Sequence, residues 1–252
     1  MAVDYRAVNR KTKIIKFPLP IIEDQIDQLS NKEMFTSLDL KSEFYQIPMH
    51  PDSVEKTAFV TPDGQWELLH MPFGLANAPP VFQAMIKRVL KDLAYVYVDD
   101  VLISSMNLNE AFTQLEKVLA AFRVNKLTLN LQKCSFFQRK INYLGREIFK
   151  EGVRPGREKV KAVLRTPDPQ NMKQIRQFLG LAGYFRRFIR DFVRKAYSLI
   201  KLLSKDACWS WGPLESAAVE EIKRILADRP VLAIYDPKLE TEVHGRKRDR
   251  FE

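Results

Sequence analysis

The chain has 252 residues, of which 46% are hydrophobic and 29% charged, a composition typical of a globular protein that can bury a sizeable core. Cys134 and Cys208 lie far apart with no histidine beside them, so the sequence signals neither a disulfide framework nor a zinc site. The net charge of +10 is concentrated in residues 152–205, which carry 14 basic residues against three acidic ones. Such a local excess on a protein is typical of a polyanionic partner, most often nucleic acid, although a solvated basic face is the alternative.

The first part of the chain, to about residue 71, carries mainly strand and turn signals. Prolines favour extended backbone, and alternation of apolar and polar residues favours strands. The predicted elements are, in order, an extended start with Pro18 and Pro20, a short helix over 21–29, a strand over 34–38 that ends in Asp39, an extended piece over 44–49, and a hairpin over 57–71 with the turn Pro62-Asp63-Gly64.

Strands and helices continue to alternate up to about residue 150, after which the chain becomes almost wholly helical. The spacing of apolar residues and the β-branched runs predict the type of each element. These elements are a helix over 79–93, a strand, tight turn and strand over 94–105, a helix over 110–122, short strands over 127–131 and 135–138, and a strand or hairpin over 142–149. The change of pattern beyond Pro155 marks a subdomain boundary.

Three carboxylates end predicted strands. Asp99 and Asp100 form the tip of an apolar hairpin, where aspartate is also a common turn residue with no function. Asp39 ends another apolar strand, so all three acids could project from one sheet. Converging carboxylates repel each other unless cations lie among them, and oxygen ligands suit magnesium or manganese. Two such ions support phosphoryl transfer, as a polymerase requires.

The segment 173–194 has two helical stripes. The apolar stripe, which predicts a buried face, consists of Ile175, Phe178, Ala182, Phe185, Ile189 and Phe192. The opposite stripe consists of Lys173, Arg176, Gly180, Gly183, Arg187, Arg190 and Arg194. Glycine costs a helix about 1 kcal/mol relative to alanine, so close approach of a nucleic-acid backbone, or close packing of another helix, is expected at Gly180 and Gly183.

Eight motifs in order resemble the reverse transcriptase of gypsy-type long-terminal-repeat retrotransposons, over nearly the whole chain. They are VDYRAVN, FTSLDL, KTAF, MPFGLANAP, YVYVDD, LTLNLQKC, YLG and FLGLAGYFRRFI. The resemblance implies an α+β right-hand polymerase, with a ferredoxin-like palm sheet, a helical thumb and the start of a connection region. It divides the chain into truncated fingers and palm (1–150), basic thumb (151–205), start of the connection region (206–244) and a basic tail (245–252). The implied activity is RNA-directed DNA synthesis on a primer-template, with deoxynucleoside triphosphates as substrates.

The resemblance also implies a role for individual residues. Asp39, Asp99 and Asp100 match the catalytic, metal-binding triad for two magnesium or manganese ions, with the carbonyl of Leu40 as a further ligand. The nucleotide-binding matches are Arg6 at the triphosphate, Phe44 beneath the sugar, where it would favour deoxynucleotides, and Phe73 and Gly74 against the nascent base pair. The nucleic-acid-binding matches are Tyr143, Leu144 and Gly145 at the primer end, and Lys173, Arg176, Gly180, Gly183, Arg187 and Arg190 on the thumb helix.

Three departures from the family pattern affect what we expect of the chain. It starts at the VDYR segment, predicted as a strand, without the preceding fingers strand that brings a basic residue to the triphosphate. The link before Tyr95 is short, which predicts strain or displacement at Asp99 and Asp100. The sequence ends before the first catalytic aspartate of a ribonuclease H domain, so no ribonuclease H site is expected.

Two functions remain open at this point. The first is an RNA-directed DNA polymerase that uses two-metal nucleotidyl transfer. The second is a catalytically inactive remnant that binds nucleic acid through the basic helix; it predicts salt-dependent binding without magnesium-dependent synthesis. A protein-interaction role is a third class, for which the sequence offers no positive signal. An intracellular location, cytoplasmic or nuclear, without membrane association is expected, because no apolar segment reaches the roughly 18 residues of a membrane span. The sequence does not specify an oligomeric state.

Overall fold

The fold is described from a computed structural model, which places residues 3–204, 208–236 and 238–240. The predicted basic tail, 245–252, lies outside these residues. The α-helices are α1 (Arg6–Lys11), α2 (Ile22–Asp27), α3 (Pro51–Val54), α4 (Ala78–Leu90), α5 (Leu108–Val124), α6 (Arg157–Leu164), α7 (Met172–Gly183), α8 (Phe192–Lys195), α9 (Tyr197–Lys201) and α10 (Pro213–Ala227). Short 3-10 helices span Glu43–Gln46, Glu55–Thr57, Leu131–Lys133 and Arg186–Phe188.

The strands form three antiparallel sheets, and the fold is α+β as predicted. The strands are β1 (Met34–Asp39), β2 (Phe59–Thr61), β3 (Gly64–Trp66), β4 (Tyr95–Tyr97), β5 (Asp100–Ser105), β6 (Ser135–Gln138), β7 (Lys140–Tyr143), β8 (Arg146–Phe149) and β9 (Gly152–Pro155). The four-stranded sheet has the order β4-β5-β1-β6, β2 and β3 form a separate hairpin, and β7, β8 and β9 form a three-stranded sheet.

Two buried clusters hold these elements together. The first lies between the four-stranded sheet and helices α4 and α5, with Leu38, Phe82, Val101 and Val118 fully or almost fully buried. The second runs from Phe35 through the three-stranded sheet into the helices from α6 to α10. A continuous core of this kind stabilises the position of the helical part against the sheet that carries the predicted primer-end turn.

Most predicted elements are confirmed, with four local exceptions. The VDYR segment leads into helix α1 instead of forming a strand. Phe44 lies in a 3-10 helix instead of extended backbone, because its ring is buried and Gln46 bonds with the Lys41 and Thr128 backbone. Residues 127–131 make only the isolated bridge between Leu129 and Leu40, not a strand.

The fourth exception is the basic helix, which is not continuous to Arg194. Helix α7 ends at Gly183 and is followed by a 3-10 turn, and Asp191 then adopts a left-handed conformation with φ 54°. Glycine has low helix propensity, and the Tyr184 hydroxyl donates to the carbonyl of Leu144, so a tertiary contact fixes the chain just beyond the helix end.

None of the helices within the described ranges is long and apolar enough to cross a bilayer.

Candidate active site

Two carboxylates of the predicted triad are brought together by strand register. Asp39 and Asp100 are direct cross-strand partners at the same end of the β1-β5 ladder. Asp99 follows Val98 in the two-residue turn that joins β4 to β5, since Tyr97 pairs with Asp100. All three acids therefore lie at one end of the four-stranded sheet, Asp39 and Asp100 at strand ends and Asp99 in the turn between β4 and β5.

The turn before Asp100 holds its backbone in an unfavourable conformation. Val98 has φ 53°, which fits the first central position of a type II′ hairpin turn but is uncommon for a β-branched residue. Its N–H donates to the buried Gln83 side chain, with 2.5 Å between Val98 N and Gln83 Oε1. Strain of this kind at a functional turn is sustained only where the surroundings fix it. The turn keeps Tyr97 paired with Asp100 in the β4-β5 ladder.

Two acidic side chains at this end of the sheet have raised pKa values. Burial, followed by the charges of Asp99 and Asp39, raises the pKa of Asp100 to about 6. Burial and the same two charges raise the pKa of Glu43, which lies in the 3-10 helix after β1. Burial and neighbouring like charges both destabilise the ionised form of a carboxylate, so the ionised forms of Asp100 and Glu43 are disfavoured here.

Two lysines that the sequence reasoning did not single out supply positive charge here. Lys133 Nζ lies 3.5 Å from Asp39 Oδ2. Lys159, on α6, lowers the pKa of Asp100 and lies over the ring of Tyr184, with Nζ 4.1 Å from the ring centroid. Lys133 belongs to the LTLNLQKC motif, which could have indicated it; Lys159 reaches the site only through the tertiary fold.

The predicted nucleotide-binding aromatics pack against each other close to this sheet. Phe44 is buried, and its ring centroid lies 4.9 Å from that of the half-exposed Phe73 and 5.8 Å from that of Phe82. Gly74 has φ 95°, a backbone conformation that glycine adopts without strain. The pair Phe44 and Phe73 therefore forms one aromatic surface, with the Gly74 backbone beside it.

Asn9 fixes the loop that carries Phe73 and Gly74. Its amide nitrogen donates to the carbonyl of Gly74 at 2.8 Å, and its amide oxygen accepts from the N–H of Ala76 at 2.8 Å. Asn9 ends the VDYRAVN motif, which could have indicated it, but a contact to a loop more than sixty residues away has no local signal. Arg6, on the same helix, is exposed and ion-paired with Asp4 at 2.6 Å. Among the described contacts, none joins Arg6 to another residue predicted to bind the nucleotide.

The predicted primer-end turn is also a two-residue hairpin turn, because Tyr143 pairs with Arg146. Leu144 and Gly145 have φ 47° and 71°, as in a type I′ turn. Their carbonyls accept from the Tyr184 hydroxyl and from Gly156 N–H, respectively. A side chain at Gly145 would meet the Lys159 side chain at about 2.5 Å.

The basic residues predicted on one thumb helix are divided between two segments. Lys173, Arg176 and Gly180 lie on exposed positions of α7, with Gly183 at its partly exposed end. Arg187 and Arg190 are also exposed but lie beyond the end of that helix. The buried stripe is confirmed from Ile175 to Ile189, and Phe192 is partly buried against the same core. A Cβ atom at Gly180 or Gly183 would meet nothing within 4 Å, so no other helix of the described part of the chain packs there.

A second concave region lies apart from the three aspartates. A mostly apolar cavity of about 870 Å³ lies between α1, α3 and the start of α4, lined by residues such as Thr12, Met49 and Val81. None of the three aspartates lines it.

Comparison with known proteins decides the family. Residues 1–148 match the family of reverse transcriptases (RNA-dependent DNA polymerases), more than half of the chain. The chain belongs to the reverse transcriptase family. The Transposon Tf2-3 and Tf2-7 polyproteins of Schizosaccharomyces pombe are 36% and 35% identical to it over 94% of its length, which confirms the predicted resemblance to retrotransposon reverse transcriptases. The chain spans about 18% of the length of these polyproteins.

Solved structures show the same fold in related reverse transcriptases. The foamy viral protease-reverse transcriptase dRH in complex with double-stranded DNA has a TM-score of 0.86 and 26% identity, covering 93% of this chain and 42% of that one. The foamy viral protein in complex with an RNA/DNA hybrid has a TM-score of 0.80 and 26% identity, covering 92% and 32%. The right-hand polymerase fold predicted from the motifs is confirmed.

Proposed function

We propose that this chain is the catalytic part of an RNA-directed DNA polymerase, which extends a primer on an RNA or DNA template with deoxynucleoside triphosphates. The observation that carries the proposal is the register of Asp39 against Asp100, with Asp99 in the adjoining turn. Membership of the reverse transcriptase family and the likeness to foamy viral enzymes in complex with duplexes support it.

The donor chemistry of the triad fits magnesium or manganese. Carboxylate oxygens of Asp39, Asp99 and Asp100, with the carbonyl of Leu40 next in the chain, would hold two ions. When bound, these ions supply Lewis-acid stabilisation of phosphoryl transfer. The raised pKa of Asp100 reflects its burial first and then the charges of Asp99 and Asp39, whose repulsion a bound cation would offset. Within the described ranges no group of three or more acidic, histidine or cysteine side chains is already arranged to hold a metal, so we expect the carboxylate side chains to rearrange when ions bind.

The chain's own residues would position both substrates. The buried ring of Phe44 would lie beneath the sugar and exclude a ribose hydroxyl, while Phe73 and the Gly74 backbone would contact the new base pair. Arg6 would contact the triphosphate after exchanging its pairing with Asp4 for a phosphate, since both side chains are more than half exposed. Such an exchange costs little because exposed ion pairs are weak.

The nucleic acid would run from the Tyr143 to Gly145 turn along the exposed face of α7. Lys173 and Arg176 would neutralise phosphates, and the open space over Gly180 and Gly183 would let the backbone approach the helix. Arg187 and Arg190 would extend the basic surface beyond α7. Because each neutralised phosphate releases counterions, binding should weaken steeply with salt.

The deciding experiment is extension of a short primer on RNA with deoxynucleotides and magnesium, comparing the purified chain with Asp99→Asn. Extension that disappears in the variant and in the absence of divalent cations supports the polymerase. If neither protein extends the primer while both bind the duplex with a steep salt dependence, the chain is a nucleic-acid-binding remnant instead.

A further inference from the structure

A chain of buried hydrogen bonds runs beneath the two hairpin turns of the site. The hydroxyl of Tyr143 donates to Oε1 of Gln25 at 3.0 Å, and Nε2 of Gln25 donates to the carbonyl of Val96 at 3.0 Å. Nε2 of Gln83 donates to the same carbonyl at 3.3 Å. Oε1 of Gln83 accepts from Val98 N–H. These contacts connect β7 to the β4-β5 hairpin through α2 and α4.

Every side chain in this connection is buried. Tyr143, Gln83 and Gln25 are 2%, 1% and 8% exposed, respectively. A buried amide or hydroxyl without a hydrogen-bond partner costs folding free energy, so each group must stay within hydrogen-bonding distance of its neighbour. Gln25 and Gln83 both donate to the carbonyl of Val96, so a shift of either amide would displace the backbone of the β4-β5 hairpin.

The two ends of the connection are the turns that must be placed accurately for synthesis. Tyr143 is the residue immediately before the Leu144 and Gly145 turn. Val98 begins the turn that carries Asp99, and its strained backbone depends on the bond to Gln83. Arg146 begins β8 on the far side of the Leu144 and Gly145 turn and bonds Glu23 on α2, so this helix contacts both arms of that hairpin.

We propose that Gln25 and Tyr143 are positioning residues that set the distance between the primer-end turn and the catalytic turn, and so the alignment of the primer hydroxyl with the carboxylates. The proposal rests on the proposed function, which gives the two turns their roles. Neither side chain is a catalytic residue, because both act through the backbone of the turns.

The test uses Tyr143→Phe, Gln25→Met and the double variant. The matched control is Thr36→Val, which removes a different buried hydrogen bond, from Phe137 N–H to the Thr36 hydroxyl in the same sheet, and does not touch the connection. In single-turnover incorporation at saturating duplex and nucleotide, we expect each single variant to lower the rate about tenfold, and Gln25→Met to bind the duplex within twofold of the parent. The double variant should be no slower than the slower single variant. Thr36→Val should keep the parent rate.

Amide hydrogen exchange on the same proteins tests the connection without any nucleotide chemistry. We expect the 95–100 hairpin to exchange severalfold faster in Tyr143→Phe and in Gln25→Met, but not in Thr36→Val. An unchanged hairpin in Tyr143→Phe, or rate losses in the two single variants that multiply in the double variant, would overturn the proposal. If the parent chain fails to incorporate nucleotides, the proposed function fails, and the exchange result alone decides whether the two turns are coupled.

Discussion

Asp39 and Asp100 stand directly opposite each other in the antiparallel pairing of β1 with β5. This relationship places two negative charges at the end of one ladder, where directly opposed like charges destabilise a sheet. The protein keeps them there although burial and the neighbouring aspartates raise the pKa of Asp100 to about 6. We interpret the arrangement as a loss of folding stability that a bound cation would offset.

Replacing Asp100 with asparagine should therefore stabilise the metal-free protein while abolishing synthesis. The carboxyl has a higher pKa in the folded state than in the unfolded state, so its ionisation lowers stability as pH rises from about 4 to 6. At pH 7 we expect Asp100→Asn to raise the free energy of unfolding by about 2 kcal/mol. Denaturant titration with and without magnesium measures this. Magnesium should stabilise the parent and not the variant; a variant that is less stable without magnesium contradicts the interpretation.

Asn9→Ala should loosen the loop that carries Phe73 and Gly74. The substitution removes both hydrogen bonds between α1 and that loop, which should cost about 2 kcal/mol of stability. Because the loop is proposed to contact the nascent base pair, we expect KM for the nucleotide to rise severalfold and kcat to change less. Steady-state kinetics check this. Asn125→Ala, which removes an amide hydrogen bond at the end of α5, is the control and should leave KM unchanged.

Gly180→Ala should have opposite effects on stability and on binding. Alanine favours the helix by about 1 kcal/mol, and a Cβ atom there meets nothing within 4 Å, so we expect α7 and the protein to become more stable. If a nucleic-acid backbone packs against this position, duplex affinity should fall severalfold. Thermal unfolding and duplex titration measure the two effects. Gln177→Ala, at an exposed position of the same helix, should leave affinity unchanged, and equal affinity in Gly180→Ala would exclude close approach there.

Glu147 should make stability depend on pH in the acid range. Burial raises its pKa, but hydrogen bonds and charge from Arg229 and Arg154 outweigh this and hold the pKa at about 2. Its contribution is thus fully present above about pH 4.5 and is lost as pH falls toward 2. Glu147→Gln should lose about 3 kcal/mol at pH 7 and less at pH 3. Denaturant titrations at both values test this, and a constant difference would rule the account out.

The strands that carry the aspartates were predictable from the sequence, but the long-range hydrogen bonds around them were not. Alternating apolar runs fix β1 and the β4-β5 hairpin locally, so Asp39, Asp99 and Asp100 could be placed at strand ends in advance. The bond from Tyr143 to Gln25 joins residues 118 positions apart, and neither residue carries a local signal for it. The end of α7 was not predictable either. The apolar spacing continues beyond Gly183 and predicts more helix, but the chain forms a 3-10 turn there, next to the long-range hydrogen bond from Tyr184 to Leu144.

The segment that the reverse transcriptase family model covers ends before the buried core does. The family match stops at residue 148, inside β8, at an isoleucine with no exposed surface. Beyond it, Val153 pairs with Leu232, and Arg229 donates to the carbonyl of Pro155, so the segment that follows α10 is hydrogen-bonded to β9, the outer strand of the sheet. Helix α10 shares its buried residues with that sheet. A protein cut back to residues 1–148 would lose β9 and the helices whose buried residues pack beneath its predicted primer-end turn, so the part of the chain that the family model covers is shorter than the core that holds this turn in place.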